Sequence, residues 1–106
     1  MQDEVKITES GNYLIAALTC EIDHHTARRV REQIDRQVFA YRPELLVLDF
    51  SGVHFMDSSG IALIIGRVEV ARAVGATVRV TGLSPTLRRL VRLSGLEKIR
   101  ELVISA

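Results

Sequence analysis

The sequence predicts an α/β domain with a mixed β-sheet in the order ββαβαβαβ, and three observations lead there. Two short apolar-rich runs near the N-terminus flank a Gly-Asn pair. The apolar period then changes to steps of three and four from Thr26 onward. From there to the end, strand-like and helix-like patterns alternate. Strands alternating with helices after an opening hairpin imply right-handed crossovers between parallel strands, with the helices packed on the sheet.

Val5–Ser10 and Tyr13–Leu18 are the hairpin strands, and Gly11-Asn12 is the turn, because such a pair readily takes positive φ. Ala27, Val30, Ile34, Val38 and Tyr41 then form one apolar stripe, while Arg28, Arg29, Arg31, Glu32 and Arg36 fall elsewhere. That is an amphipathic helix, with Asp23 as its cap and Pro43 marking its end. Leu45–Leu48 is a continuous apolar run, the pattern of a strand in the middle of a covered parallel sheet; the pattern leaves open whether helices cover one face or both. A second helix starts near Ser58 and runs to about Val74, with Gly75 as its stop. Its expected core face is Ile61, Ile64, Ile65, Val68 and Ala71, and Leu63 and Val70 are expected to lie exposed beside a second stripe. Thr77–Thr81 alternates as a strand. Ser84-Pro85 is a cap followed by proline at the first helical position, opening a third helix with Leu87, Leu90 and Val91 on one face and Gly95 at its end. Arg100–Ile104 is the expected edge strand.

At 106 residues, the chain is expected to be one domain over 1–106. An apolar fraction of 47% builds a core without disulfides or metal, and with no Trp that core must rest on Val, Leu, Ile and Ala. A formal charge of +1 lacks the basic excess of a general nucleic-acid binder. The single cysteine, Cys20, has no internal partner and reads as a small buried hydrophobe; no Cys/His set has zinc spacing. Met1–Lys6 lacks the layout of a signal peptide, and no apolar run approaches the roughly 18 residues of a membrane span. The expectation is a soluble cytoplasmic protein with no cofactor.

The chemistry concentrates in the loop from Gly52 to Gly60, after the central strand, because open α/β sheets gather function at the C-terminal ends of their parallel strands. Asp57-Ser58-Ser59-Gly60 delivers two hydroxyls to the first turn of the second helix. The plain reading of Asp and Ser there is helix capping. Along the helix, however, Ser58, Ala62, Gly66, Glu69 and Ala73 form a stripe of mostly small residues. Gly66 inside a helix costs about 1 kcal/mol relative to Ala, which suggests close approach by something else. A smooth patch headed by a serine hydroxyl has the character of a docking surface. Ser58 does not fit a hydrolase nucleophile, since Met56 stands where the Gly-x-Ser-x-Gly elbow needs its first glycine. His24 and His25 are adjacent and point apart on a helix, so they do not share a metal. Gly60 and Gly66 match neither a P-loop nor a dinucleotide fingerprint. Arg88, Arg89 and Arg92 read as a solvated face.

Phe55-Met56-Asp57-Ser58-Ser59-Gly60-Ile61, Asp23-His24-His25-Thr26-Ala27 and Ser84-Pro85-Thr86-Leu87-Arg88-Arg89-Leu90 together resemble the anti-sigma factor antagonists. These are STAS-domain proteins, and the likeness is to the sporulation type. The resemblance runs along nearly the whole chain and implies a single STAS-like domain. It implies a regulator, not an enzyme, with Ser58 phosphorylated by a partner that is both anti-sigma factor and serine kinase. The unphosphorylated protein would bind that partner and free a sigma factor, and a serine phosphatase would reset it, with no direct contact to nucleic acid or membrane. The implied partner-binding surface is Asp23, His24, Asp57, Ser58, Ser59, Gly60, Ala62 and Gly66. The alternative is a STAS scaffold subunit of a stress-signalling or lipid-transport complex, with Ser58 only structural. Two departures stand out. Cys20 precedes Glu21-Ile22-Asp23 where the family often has Gly, and the family commonly carries a fourth helix beyond the position of Ala106.

Overall fold

Gly11, at φ 59°, takes the positive-φ corner that a two-residue turn requires, and it joins the antiparallel strands β1 (Val5–Ser10) and β2 (Tyr13–Leu18). In the computed structural model, which describes residues 4–105, the chain continues through α1 (His24–Tyr41), β3 (Leu45–Asp49), α2 (Ser58–Ala73), β4 (Thr77–Thr81) and α3 (Pro85–Leu93). A 3₁₀ turn at Leu96–Lys98 then leads into β5 (Leu102–Ile104). The element order is the expected one. The sheet order is β1-β2-β3-β4-β5, parallel throughout except for the first pair.

A strand order that never reverses, joined by right-handed crossovers, brings the helices to the same face of the sheet. Burial agrees. The paired rows Leu14–Leu46–Val78–Leu102 and Ala16–Leu48–Val80 are buried and share one core with Val30, Ile34 and Val38 of α1, Ile64 and Val68 of α2, and Leu87 and Val91 of α3. On the opposite face, Ile15, Leu45 and Val47 are only half-buried, and Arg79 and Val103 are exposed. The apolar run Leu45–Leu48 therefore marks the central strand, parallel to both neighbours, but the sheet is covered on one face only.

Asp23 caps α1 through a reciprocal box. Its Oδ1 accepts from the backbone N–H groups of His25 and Thr26 at 2.9 Å each, and Thr26 Oγ1 accepts from the Asp23 N–H at 2.9 Å. The cap starts the helix at His24, two residues before the apolar period becomes visible. Arg42, at φ 52°, closes the helix ahead of Pro43. Around the core, Arg29 binds Glu4 through two 2.7 Å contacts, and the Tyr41 hydroxyl donates to the Gly11 carbonyl, so α1 is tied to both ends of the hairpin. Arg72 likewise ties α2 to Glu101 ahead of β5.

The core face of α2 differs from expectation. Leu63 is buried at 3% exposure, whereas Ile65 is 38% exposed and Ile61 half-buried. Apolar residues ring this helix, so hydropathy does not mark the buried arc; packing against α1 as well as the sheet turns the arc toward Gly60, Leu63, Ile64, Arg67 and Ala71. Arg67 is only 3% exposed. Its Nε lies 2.9 Å from Asp35 Oδ1 of α1, without hydrogen-bond alignment, and its Nη1 has no partner. Burial pushes the Asp35 carboxyl above its ordinary range and the Arg67 guanidinium below its own, more than each charge steadies the other.

Candidate functional site: the Ser58 loop and the neighbouring helix entries

Because β2, β3 and β4 run parallel, their C-terminal ends lie along one edge, and the loops leading into α1, α2 and α3 gather there. Each helix entry is capped by a side chain: Asp23 on α1, Asp57 on α2 and Ser84 on α3. Asp57 Oδ1 accepts from the Ser59 N–H at 2.7 Å, and Ser84 Oγ accepts from the Leu87 N–H at 3.2 Å. The first two entries are joined by a single parallel bridge between Ile22 and Met56. In it the Ile22 N–H donates to the Phe55 carbonyl at 3.0 Å, and the Asp57 N–H donates to the Ile22 carbonyl at 3.1 Å. Ile22 and Met56 are both buried, and the bridge between them sets the residues that follow, Asp23 and Asp57, beside one another along the backbone at the two helix entries. The amides of Thr26 and His25, with Thr26 first, hold the Asp23 carboxyl below its ordinary range, so it is ionised at neutral pH.

Ser58 is the first residue of α2 and is exposed. Neither its hydroxyl nor that of Ser59 has a hydrogen-bond partner among the described residues. The two serines are nonetheless distinct. Ser59 is half-buried and turned toward α1, where it lines a groove of about 350 Å³ between α1 and α2 together with His24 and Ala62. Gly66 opens outward: a Cβ there would meet nothing within 4 Å. Gly60 is different from the rest of the expected surface, being buried. A Cβ on it would sit 2.6 Å from Met56 Sδ, so Gly60 lets the loop pack onto its own helix and lies beneath the surface rather than on it.

The structure thus brings Asp23, Asp57 and Ser58 to one rim, sets His24, Ser59 and Ala62 in the adjoining groove, and places Gly66 a turn further along α2. His24 and His25 do not point apart: their rings meet edge to face at 5.7 Å. Among the described residues, no group of three or more His, Cys, Asp or Glu is arranged to hold a metal ion, and no helix is long and apolar enough to cross a membrane. Three features escaped the sequence pattern. Phe55, two residues before Asp57, is 52% exposed, and the sequence carries no signal for it, because the same loop buries its other apolar residues, Val53 and Met56. Arg28 and Arg31 line the groove, and their spacing from His24, four and seven residues, was the signal for a shared helix face. The Ile22–Met56 bridge has no local signature, since it joins residues of two separate loops.

The STAS domain family model matches residues 4–104. The chain is 35% identical over 99 residues to the anti-sigma F factor antagonist of Paenibacillus polymyxa, spanning 93% of this chain and 85% of that one. Among solved structures, the fold resembles that of the anti-sigma factor antagonist SpoIIAA in its unphosphorylated form, with a TM-score of 0.73 and 23% identity over 96% of this chain and 87% of that one. It also resembles the Bacillus cell fate determinant SpoIIAA in its phosphorylated form, with a TM-score of 0.71 and 26% identity over 96% of this chain and 91% of that one. The chain therefore belongs to the STAS-domain family of anti-sigma factor antagonists.

Proposed function

We propose that this chain is a cytoplasmic, phosphorylation-controlled antagonist of an anti-sigma factor that is also a serine kinase. Unphosphorylated, it binds that partner and frees a sigma factor to direct transcription. Phosphorylation of Ser58 ends binding, and a serine phosphatase restores it. The chain acts as a binding protein, and any nucleotide in the cycle belongs to the partner.

The observation that carries this reading is the position of Ser58: an exposed, unpartnered hydroxyl on the first turn of α2, within the rim formed by Asp23 and Asp57. Phosphate brings roughly −1.5 to −2 charges at neutral pH. At a helix N-terminus it meets the positive end of the dipole, so the fold tolerates it. At a packed interface beside two carboxylates, the same charge is desolvated and repelled. A loss of about 3–4 kcal/mol lowers affinity by a factor of several hundred. The exposed Phe55 beside the serine supplies the apolar anchor that such an interface needs. The relative with a phosphorylated structure supports the same cycle.

The test is to incubate the purified chain with ATP and an anti-sigma factor from the same genome and to map the modified residue by mass spectrometry. Phosphate on Ser58, absent from Ser58→Ala, is the expected result. Modification of Ser59 instead, or none with any anti-sigma factor of that genome, would overturn the reading.

A further inference from the structure

We infer that the groove between α1 and α2 is a second half of the partner surface and receives an acidic segment of the anti-sigma factor. This inference rests on the function proposed above.

The groove is basic where the Ser58 rim is acidic. Its α1 wall carries His24, Arg28 and Arg31, and its α2 wall is the Ser59 hydroxyl with Ala62. Arg31 has no ion-pair partner among the described residues, and Arg28 has only Glu32, at 3.5 Å with both side chains mostly in water, an arrangement that neutralises little. One turn further along the same seam lies the buried Arg67, facing Asp35 with Nη1 unpartnered. The lining of the groove itself holds Arg28 and Arg31 and no acid; Glu32, Asp35 and Glu69, which answer these arginines and Arg67, lie outside that lining. Low-dielectric walls focus the field of the two lining arginines.

The width of the groove comes from small side chains. Ala27 on α1 and Ala62 on α2 line it, and Gly66 adds open space beyond Ala62. Two guanidinium groups and a free hydroxyl bordering an apolar, small-residue floor suit carboxylates carried on a peptide segment, because guanidinium binds carboxylate in paired hydrogen bonds. The groove is also continuous with the Ser58 rim: Ser59 lines the one and its neighbour Ser58 heads the other. A partner seated on both must offer basic groups to Asp23 and Asp57 and acidic groups to Arg28 and Arg31. That two-sign pattern fixes its orientation. It also sharpens the off-signal: a phosphate on Ser58 would stand at the mouth of the groove, cancel part of its field and repel the incoming carboxylates.

The experiment measures affinity of the unphosphorylated chain for an anti-sigma factor of the same genome at low and raised salt, for wild type, Arg31→Ala, Arg31→Lys, Arg31→Glu and Arg36→Glu. Arg36 makes the same charge change elsewhere on α1, outside the groove. The expected result is about a tenfold loss for Arg31→Ala, about a hundredfold for Arg31→Glu, a flatter salt dependence for both, a smaller, about threefold loss for Arg31→Lys, which keeps the charge but not the paired hydrogen bonds, and near wild-type binding for Arg36→Glu. Arg31→Glu binding within twofold of wild type, or Arg36→Glu weakening binding as much, would overturn the groove while leaving the proposed function intact. No binding by the wild-type chain would instead sink the proposed function. Inorganic phosphate titrated alone is a further arm: tight binding that Arg31→Glu abolishes would assign the groove to a small anion and overturn the acidic segment.

Discussion

Ser58 and Ser59 are chemically identical and one residue apart, yet the helix separates their roles: one faces solvent on the rim and the other looks into the α1–α2 groove. Asp23 does two things at once, accepting from the α1 amides and standing beside Asp57 on the rim. Asp23→Ala should therefore lower the melting temperature by a few degrees and weaken partner binding beyond that loss, as titration of the folded variant would show. Affinity unchanged while stability falls would reduce Asp23 to a cap. The acid limb offers a check on the cap itself. A carboxyl depressed in the folded state contributes stability that is complete above its unfolded pKa and is lost as pH falls through the folded value. Wild type should lose that increment below about pH 4, and Asp23→Ala should lack it. The caps at Asp23 and Ser84 were legible because residue type alone announces them. Gly60 was not: its burial under Met56 depends on how the loop folds back, which no spacing encodes.

At the scale of elements, α2 is where pattern and packing part. A helix apolar on every side can bury any of its faces, and the neighbouring α1 selected Leu63 and Arg67 over Ile65. The stripe containing Ala62 and Gly66 does lie outward, and the open space above Gly66 removes any conflict of a methyl group with this domain's own core. Gly66→Ala should thus stabilise the fold by up to about 1 kcal/mol, through helix propensity. If the partner's backbone lies over Gly66, the same variant should bind less tightly. Gained stability with unchanged affinity would place Gly66 outside the interface. The Asp35–Arg67 pair between the two helices makes an opposite point, since burial unsettles both charges. Removing Asp35 alone, as Asp35→Asn, should cost about 3 kcal/mol in denaturant unfolding, because it strands a guanidinium with little access to water. Replacing both, as Asp35→Leu with Arg67→Met, should leave stability within about 1 kcal/mol of wild type or raise it. A double variant as damaged as the single would show the pair to be a net stabiliser.

Across the whole molecule, the sheet order decides where function collects. Three parallel strands send three helix entries to one edge, and the Ile22–Met56 bridge locks two of them together before any partner arrives. The alternation of strand and helix patterns made the element order readable, and with it the edge where the three helix entries gather. It did not make the open sheet face readable, because Leu45–Leu48 has the same apolar run whether one side or two are covered, and only the unreversed strand order leaves Ile15 and Val47 half-buried. A rim held this firmly should let a single charge change binding without changing the fold. The decisive measurement is made on one preparation of the chain, before and after stoichiometric phosphorylation at Ser58, reading affinity for the anti-sigma factor and melting temperature side by side. The expected result is an affinity lower by a factor of several hundred with melting within a few degrees of the unmodified protein. Binding that survives phosphorylation, or a loss of binding that accompanies unfolding, would contradict it.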